Sequence, residues 1–191
     1  MRKRTGPDTF LSEDNFARLV DIHQHRLHVY LAGLIRQPEQ AFDLVQETFF
    51  DAWQAACNAK PPFVPGTGEA DVRRWLYRVA TNNAISMLRR HRLIHWEPLD
   101  DHVELLPDTR VPFEDHLAES DILQAALSRL APQDAACLLL RVVHGFSARE
   151  AGQILNMSPD NVNTRLARAK QRLRAAYEQR LTSQGEAPTF P

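Results

Sequence analysis

The chain has 191 residues, 23 Lys and Arg against 24 Asp and Glu, and a hydrophobic fraction of 43%; this permits one domain or two small ones with an ordinary core. Its two cysteines, Cys57 and Cys137, have no CxxC or metal-ligand neighbourhood. No apolar run approaches the ~18 residues of a membrane span, and the basic start MRKRTGPDTFLSEDN lacks the apolar core of a signal peptide. A reducing, cytoplasmic location without membrane insertion is expected.

Residues 1–10 read as a loose arm. Ser12 is placed to cap a helix whose core stripe is Phe16, Leu19, Val20, Leu27, Tyr30, Leu31 and Leu34. Pro38 sits at a first helical position and opens a helix to about Cys57, with Phe42, Val45, Phe49, Ala52 and Trp53 as its apolar face. In that helix Glu39, Asp43, Glu47 and Asp51 recur every four residues and form an acidic seam. KPPFVPGTGEA, from Lys60, is a loop by its Pro and Gly content. The next helix is expected from an N-cap at Asp71 to Arg90, with Trp75, Leu76, Val79, Ala80, Ala84, Met87 and Leu88 on one side. Arg78, Asn82, Ser86 and Arg89 gather on the other, a cationic face free of acid that suits a polyanion.

Glu97 to His116 has three prolines and no sustained period, and reads as a flexible acidic linker. With little apolar surface to bury there, the two halves are expected to hold no single mutual arrangement. Helical spacing resumes over Leu117 to Leu130; Pro132 starts a further helix, and Gly145 stands at its C-terminal stop. Ser147-Ala-Arg-Glu150 is a capping box, Asn156-Met157 a turn, Ser158 a cap and Pro159 the first residue of a last helix reaching about Arg180. This is the pattern of a helix-turn-helix. In the last helix Val162, Leu166, Ala169, Leu173 and Ala176 form the buried stripe, and Asp160, Thr164, Ala167 and Gln171 point toward a major groove. Arg165, Arg168 and Arg172 flank one side of that face, and Asn163, Lys170 and Arg174 the other, as groove walls of phosphate require.

No segment alternates with period two, so the fold class is all-α: two small helical domains on a flexible acidic linker, the second a helix-turn-helix. The boundaries expected are 11–97 for the first domain, 98–119 for the linker, 120–180 for the second and 181–191 for a tail. Charge follows this division: six arginines against one acid over Asp71 to Trp96, nine acids against Arg110 over Glu97 to Asp121, then a basic stretch to Arg180. His23, His25 and His28 scatter around their helix; His91 and His95 share a face but have no third ligand, so no metal and no cofactor are expected. Nothing pairs a nucleophile with a base or forms a glycine-rich phosphate loop, so no enzyme is expected.

DLVQETFFDAW, RWLYRVATNNAISMLRR and SAREAGQILNMSPDNVNTRLARAKQRLR resemble, in that order, the blocks of bacterial RNA polymerase sigma subunits of the extracytoplasmic-function group. The resemblance covers residues 13 to 96 and 120 to 177. It implies an alternative sigma factor that works bound to core RNA polymerase on promoter DNA, with an anti-sigma factor as a further partner. It implies that Asp43, Gln46, Glu47 and Asp51 lie in the block that docks on the polymerase, and that Trp75, Tyr77, Arg78, Asn82 and Arg89 serve the minus-ten element, with Asn82 holding a flipped base. Asp160, Asn163, Thr164, Arg165, Arg168 and Arg172 fall where the minus-thirty-five element is read. Thr81, Ser86, Asn161 and Asn163 depart from the residues the family usually carries there. The rival reading is a helix-turn-helix regulator without sigma activity; the acidic seam followed by the WLYRVATNN block separates the two.

Overall fold

The computed structural model describes residues 13–58, 60–63, 67–94, 127 and 130–183. These form α1 (Glu13–Ile35), α2 (Pro38–Cys57), α3 (Glu69–Ile94), α4 (Pro132–Leu138) continued by a π-helical turn (Leu139–Val143), α5 (Ala148–Leu155) and α6 (Pro159–Ser183), and no strand is present among them. Ser12 and the linker 98–119 lie outside the described residues, as does most of the stretch from Leu117 to Leu130.

In the N-terminal half α1, α2 and α3 pack on one another through Leu27, Tyr30, Leu31 and Leu34 of α1, Leu44, Val45, Phe49 and Ala52 of α2, and Val72, Leu76, Ala80 and Ala84 of α3. The turn between α1 and α2 bends at Arg36, whose φ of 61° is left-handed, and Pro38 then starts α2 as its spacing requires. Helix α3 begins at Glu69, two residues before the expected N-cap. The carbonyl of Gly68 accepts from Asp71 N at 3.0 Å and Val72 N at 3.3 Å, so Asp71 lies inside the first turn, where it pairs with Arg74. One expected core residue is displaced: Phe42 is 56% exposed, because α2 turns Leu44, Val45 and Thr48 inward instead. Thr81 is buried; its hydroxyl donates to the Tyr77 carbonyl at 2.6 Å and accepts from the Tyr30 hydroxyl at 2.7 Å. A cation at this position would meet the core, which accounts physically for threonine there.

The C-terminal half is built from α4, the π-helical turn, α5 and α6 around Ala136, Leu140, Phe146, Ala151, Ile154, Val162 and Ala169. Gly145, at φ 69°, ends the π-helical turn as a left-handed residue, as its place in the sequence predicts.

The two halves do not stand apart. α1 packs on α4 and the π-helical turn, and α3 packs on α5, so that one continuous core crosses between them. Gly33 allows this approach: a Cβ there would lie 3.3 Å from both Leu139 methyls. The Arg36 guanidinium donates to the carbonyls of Leu127 at 3.1 Å and Leu130 at 3.4 Å. Tyr30, Tyr77, His144 and Phe146 form an aromatic cluster across the junction, with Tyr77 and Phe146 centroids 4.8 Å apart. This differs from the expectation of halves without a fixed arrangement. That expectation weighed only the linker's composition, whereas the junction is made by apolar side chains of the helices on either side of it.

Candidate nucleic-acid interface

The helix-turn-helix forms as its capping residues dictate. The Ser147 hydroxyl accepts from Glu150 N at 3.2 Å, and the Glu150 carboxylate accepts from Ser147 N at 2.8 Å. The Ser147 hydroxyl also donates to the Glu150 carboxylate at 2.6 Å, and this bond, with the one from Ser147 N, holds the Glu150 carboxyl below its ordinary value. Asn156 takes the left-handed conformation (φ 54°, ψ 51°) and Met157 N donates back to the Gly152 carbonyl at 2.9 Å. Only glycine fits at 152, because a Cβ there would sit 2.6 Å from the Met157 carbonyl oxygen. Ser158 then caps α6 through its hydroxyl, which accepts from Asn161 N at 3.2 Å.

Along α6 the buried stripe is Val162, Ala169 and Ala176, with Leu166 and Leu173 partly covered. Asp160, Asn163, Thr164, Ala167, Arg168, Lys170 and Gln171 are exposed, as a groove-facing surface needs, and the Thr164 hydroxyl bonds the Asp160 carbonyl at 2.9 Å. Arg165 is half-buried and turned toward Asp134, while Arg172 is exposed with one contact to the same carboxylate. Arg165 donates to Asp134 Oδ1 at 2.7 Å and Arg172 to Asp134 Oδ2 at 3.4 Å, within the protein. Three residues beyond Val162, Arg165 lies beside the buried stripe, and a carboxylate buried under α6 requires a cation there. Sequence reasoning missed Asp134; an acid two residues after Pro132 reads as ordinary first-turn chemistry, and nothing local ties it to position 165.

On α3 the expected polar face is present: Arg78, Asn82, Ser86 and Arg89 are all exposed. Trp75 and Tyr77 do not join it. Trp75 is half-buried, edge-on to Phe63 at 5.1 Å. Tyr77 is fully buried beneath Phe146 and His144, its hydroxyl 2.9 Å from His144 Nδ1, and burial pushes its phenol up to about 12. Arg73 stacks over Phe146 with 4.1 Å to the ring centroid, and donates to the His144 carbonyl. These residues tie the face-bearing helix to the opposite half, a role the helical period of α3 alone does not reveal.

On α2, Asp43, Gln46 and Glu47 are exposed and Asp51 is half-buried, accepting from the Asn83 amide at 3.4 Å. Phe42 and Phe50, 56% and 60% exposed, stand on the same helix. An anionic row beside exposed aromatics suits a protein partner with cations and apolar pockets. Among the described residues, no three of His, Cys, Asp and Glu come together as a metal site, and no helix is long and apolar enough to cross a membrane.

Residues 19–94 match the family model for Sigma-70 region 2, and residues 120–173 that for Sigma-70, region 4. The chain is a member of the sigma-70 family. Its curated relatives place it in the extracytoplasmic-function group: it is 33% identical over 164 residues to the ECF RNA polymerase sigma factor SigE of Mycolicibacterium smegmatis, covering 82% of this chain and 59% of the relative. It is 25% identical over 177 residues to SigW of Bacillus subtilis, covering 85% of this chain and 88% of that one. The chain thus spans somewhat under two thirds of the length of the first relative and most of the second. The fold is shared with the sigma factor RpoE of Bartonella quintana, solved with the anti-sigma factor NepR (TM-score 0.64, 20% identity, 86% of this chain and 98% of the other). It is also shared with CnrH, solved with the cytosolic domain of CnrY (TM-score 0.63, 23% identity, 88% and 91%).

Proposed function

We propose that this chain is an alternative sigma factor, which binds core RNA polymerase, recognises promoter DNA and starts transcription of a set of genes in the bacterial cytoplasm. The observation that carries this reading is the order of three exposed surfaces on one chain: the acidic row of α2, the Arg78–Asn82–Ser86–Arg89 face of α3, and the groove-facing side of α6 behind a capped turn. A helix-turn-helix regulator would need only the last.

Each surface has a physical task in this reading. Asp43, Gln46, Glu47 and Asp51 dock on polymerase cations. Arg78 and Arg89 hold the phosphates of the minus-ten segment, while the Asn82 amide supplies base-edge hydrogen bonds to an extruded base. Asn163, Thr164 and Arg168 read the minus-thirty-five duplex from the major groove. Trp75 and Tyr77 support α3 from behind instead of stacking on DNA. The chain performs no bond-making chemistry; phosphodiester formation belongs to the polymerase. Since two elements along one duplex are read by different halves, the junction at Tyr77, His144 and Phe146 opens when the promoter is engaged. An anti-sigma factor is the further partner, acting by covering these surfaces.

Transcription in vitro with purified core polymerase over a library of promoter fragments tests the reading. Promoter-dependent transcripts that appear only when this chain is added are expected; DNA binding without any transcript would favour the regulator.

A further inference from the structure

Asp134 is only 5% exposed, yet it carries a carboxylate. Both oxygens are taken by arginines of α6: Oδ1 by Arg165 at 2.7 Å and Oδ2 by Arg172 at 3.4 Å. These two are seven residues apart, so they lie on one stripe two turns long and reach one carboxylate from both sides. Arg165 is the more enclosed of the two: its side chain is 29% exposed and its Nε is buried, whereas the Arg172 side chain is 58% exposed. The stripe that otherwise seats α6 mixes the small Ala169 and Ala176 with Val162 and the partly covered Leu166 and Leu173. An ion pair to a fixed point in α4 adds a directional constraint on rotation about the helix axis that non-directional apolar contacts do not give.

We propose that Asp134 is a positioning residue for promoter recognition: by gripping Arg165 it sets which face α6 presents and withholds that cation from the DNA phosphates, while Arg172 stays exposed beside it. This rests on the reading of α6 as the duplex-reading helix. With the pair in place, Thr164, Arg168 and Gln171 point outward and the sequence-independent attraction is reduced. With it broken, Arg165 reaches the groove wall, affinity for any DNA rises and discrimination falls, because phosphate contacts add binding without sequence information.

The test is the binding of the full chain, assembled with core polymerase, to duplex promoter fragments across a salt series, for matched and scrambled minus-thirty-five elements. Arg168→Gln should lower the slope of log K against log salt by about one, as the loss of one phosphate contact does. Arg165→Gln should leave the slope unchanged while reducing the matched-to-scrambled ratio. Asp134→Asn should raise the slope by about one and reduce that ratio roughly tenfold. If Asp134→Asn fails to fold, the double variant Asp134→Leu with Arg165→Met replaces the pair by apolar side chains and should keep at least the wild-type slope. A slope lowered by about one in Arg165→Gln or in the double variant would overturn the proposal, since Arg165 would then touch phosphate. An unchanged slope in Arg168→Gln would instead refute the reading of α6 on which the proposal stands.

Discussion

Acidification should loosen the junction between the halves, and His144 is where this begins. Its ring is packed between Tyr30 and Tyr77, its Nδ1 is bonded to the Tyr77 hydroxyl, and its Nε2 is buried without a partner. Burial first, then the nearby Arg73 and Arg26, lower it from 6.5 to about 4. A base whose value is depressed in the closed form favours that form when neutral. The contribution is therefore complete above 6.5 and is lost progressively as pH falls from 6.5 toward 4. At pH 5.5 the released imidazole is mostly protonated and the packed one is not, which shifts the closed-to-open ratio about tenfold, or about 1.4 kcal/mol. His23 is likewise buried with neither ring nitrogen bonded, and burial lowers it, with Glu69 opposing and Arg73 and Arg26 assisting; these neighbours lie on α1 and α3, so its contribution belongs to the N-terminal helices and not to the junction. Small-angle scattering along a urea series, with circular dichroism to follow the helices, is the assay. Expansion of the particle should begin at lower urea at pH 5.5 than at pH 7.5, before helix is lost, and His144→Leu should remove most of the difference. Expansion that starts at the same urea concentration at both pH values, or a variant that keeps the full wild-type dependence, would refute the reasoning.

Asp43→Arg combined with Glu47→Arg should abolish co-purification with core polymerase while leaving the helical circular dichroism signal unchanged, because both side chains are exposed and like charges across an interface cost several kcal/mol. Asn82→Ala should leave duplex affinity nearly unchanged and lower the permanganate reactivity of promoter thymines; normal opening would remove the base-holding role from that residue. Gly152→Ala should cost roughly 1–3 kcal/mol in thermal unfolding, because its Cβ would stand 2.6 Å from the Met157 carbonyl oxygen and the turn must shift. Wild-type stability in that variant would show that the turn tolerates displacement.

Much of the architecture is legible in short stretches, because capping and turn chemistry act locally. Pro38, Pro132 and Pro159 stand where their helices begin, Gly145 and Asn156 take left-handed conformations, and the Ser147–Glu150 reciprocal cap forms as its spacing requires. The polar face of α3 and the acidic row of α2 follow from the helical period in the same way. What the period cannot supply is the identity of the surface lying against a given stripe. Tyr77 is hidden by Phe146 from nearly seventy residues away, and Arg165 is drawn inward by Asp134 from an element with no local relation to it. Phe42 fits the apolar face of α2 by spacing and yet is 56% exposed, with His28 of α1 edge-on to its ring at 6.5 Å.

The core that runs unbroken from α1 and α3 into α4 and α5 has a consequence for every ligand of this chain. A ligand that needs the halves apart meets only the fraction of molecules that are open, and its apparent dissociation constant rises by the inverse of that fraction; a hundredfold closed bias weakens it ~100-fold without altering one contact. A ligand that grips both halves as they lie meets a surface already assembled and loses nothing. Competition between two such ligands is thus decided before either touches the protein, by how far the apolar junction tilts the resting population.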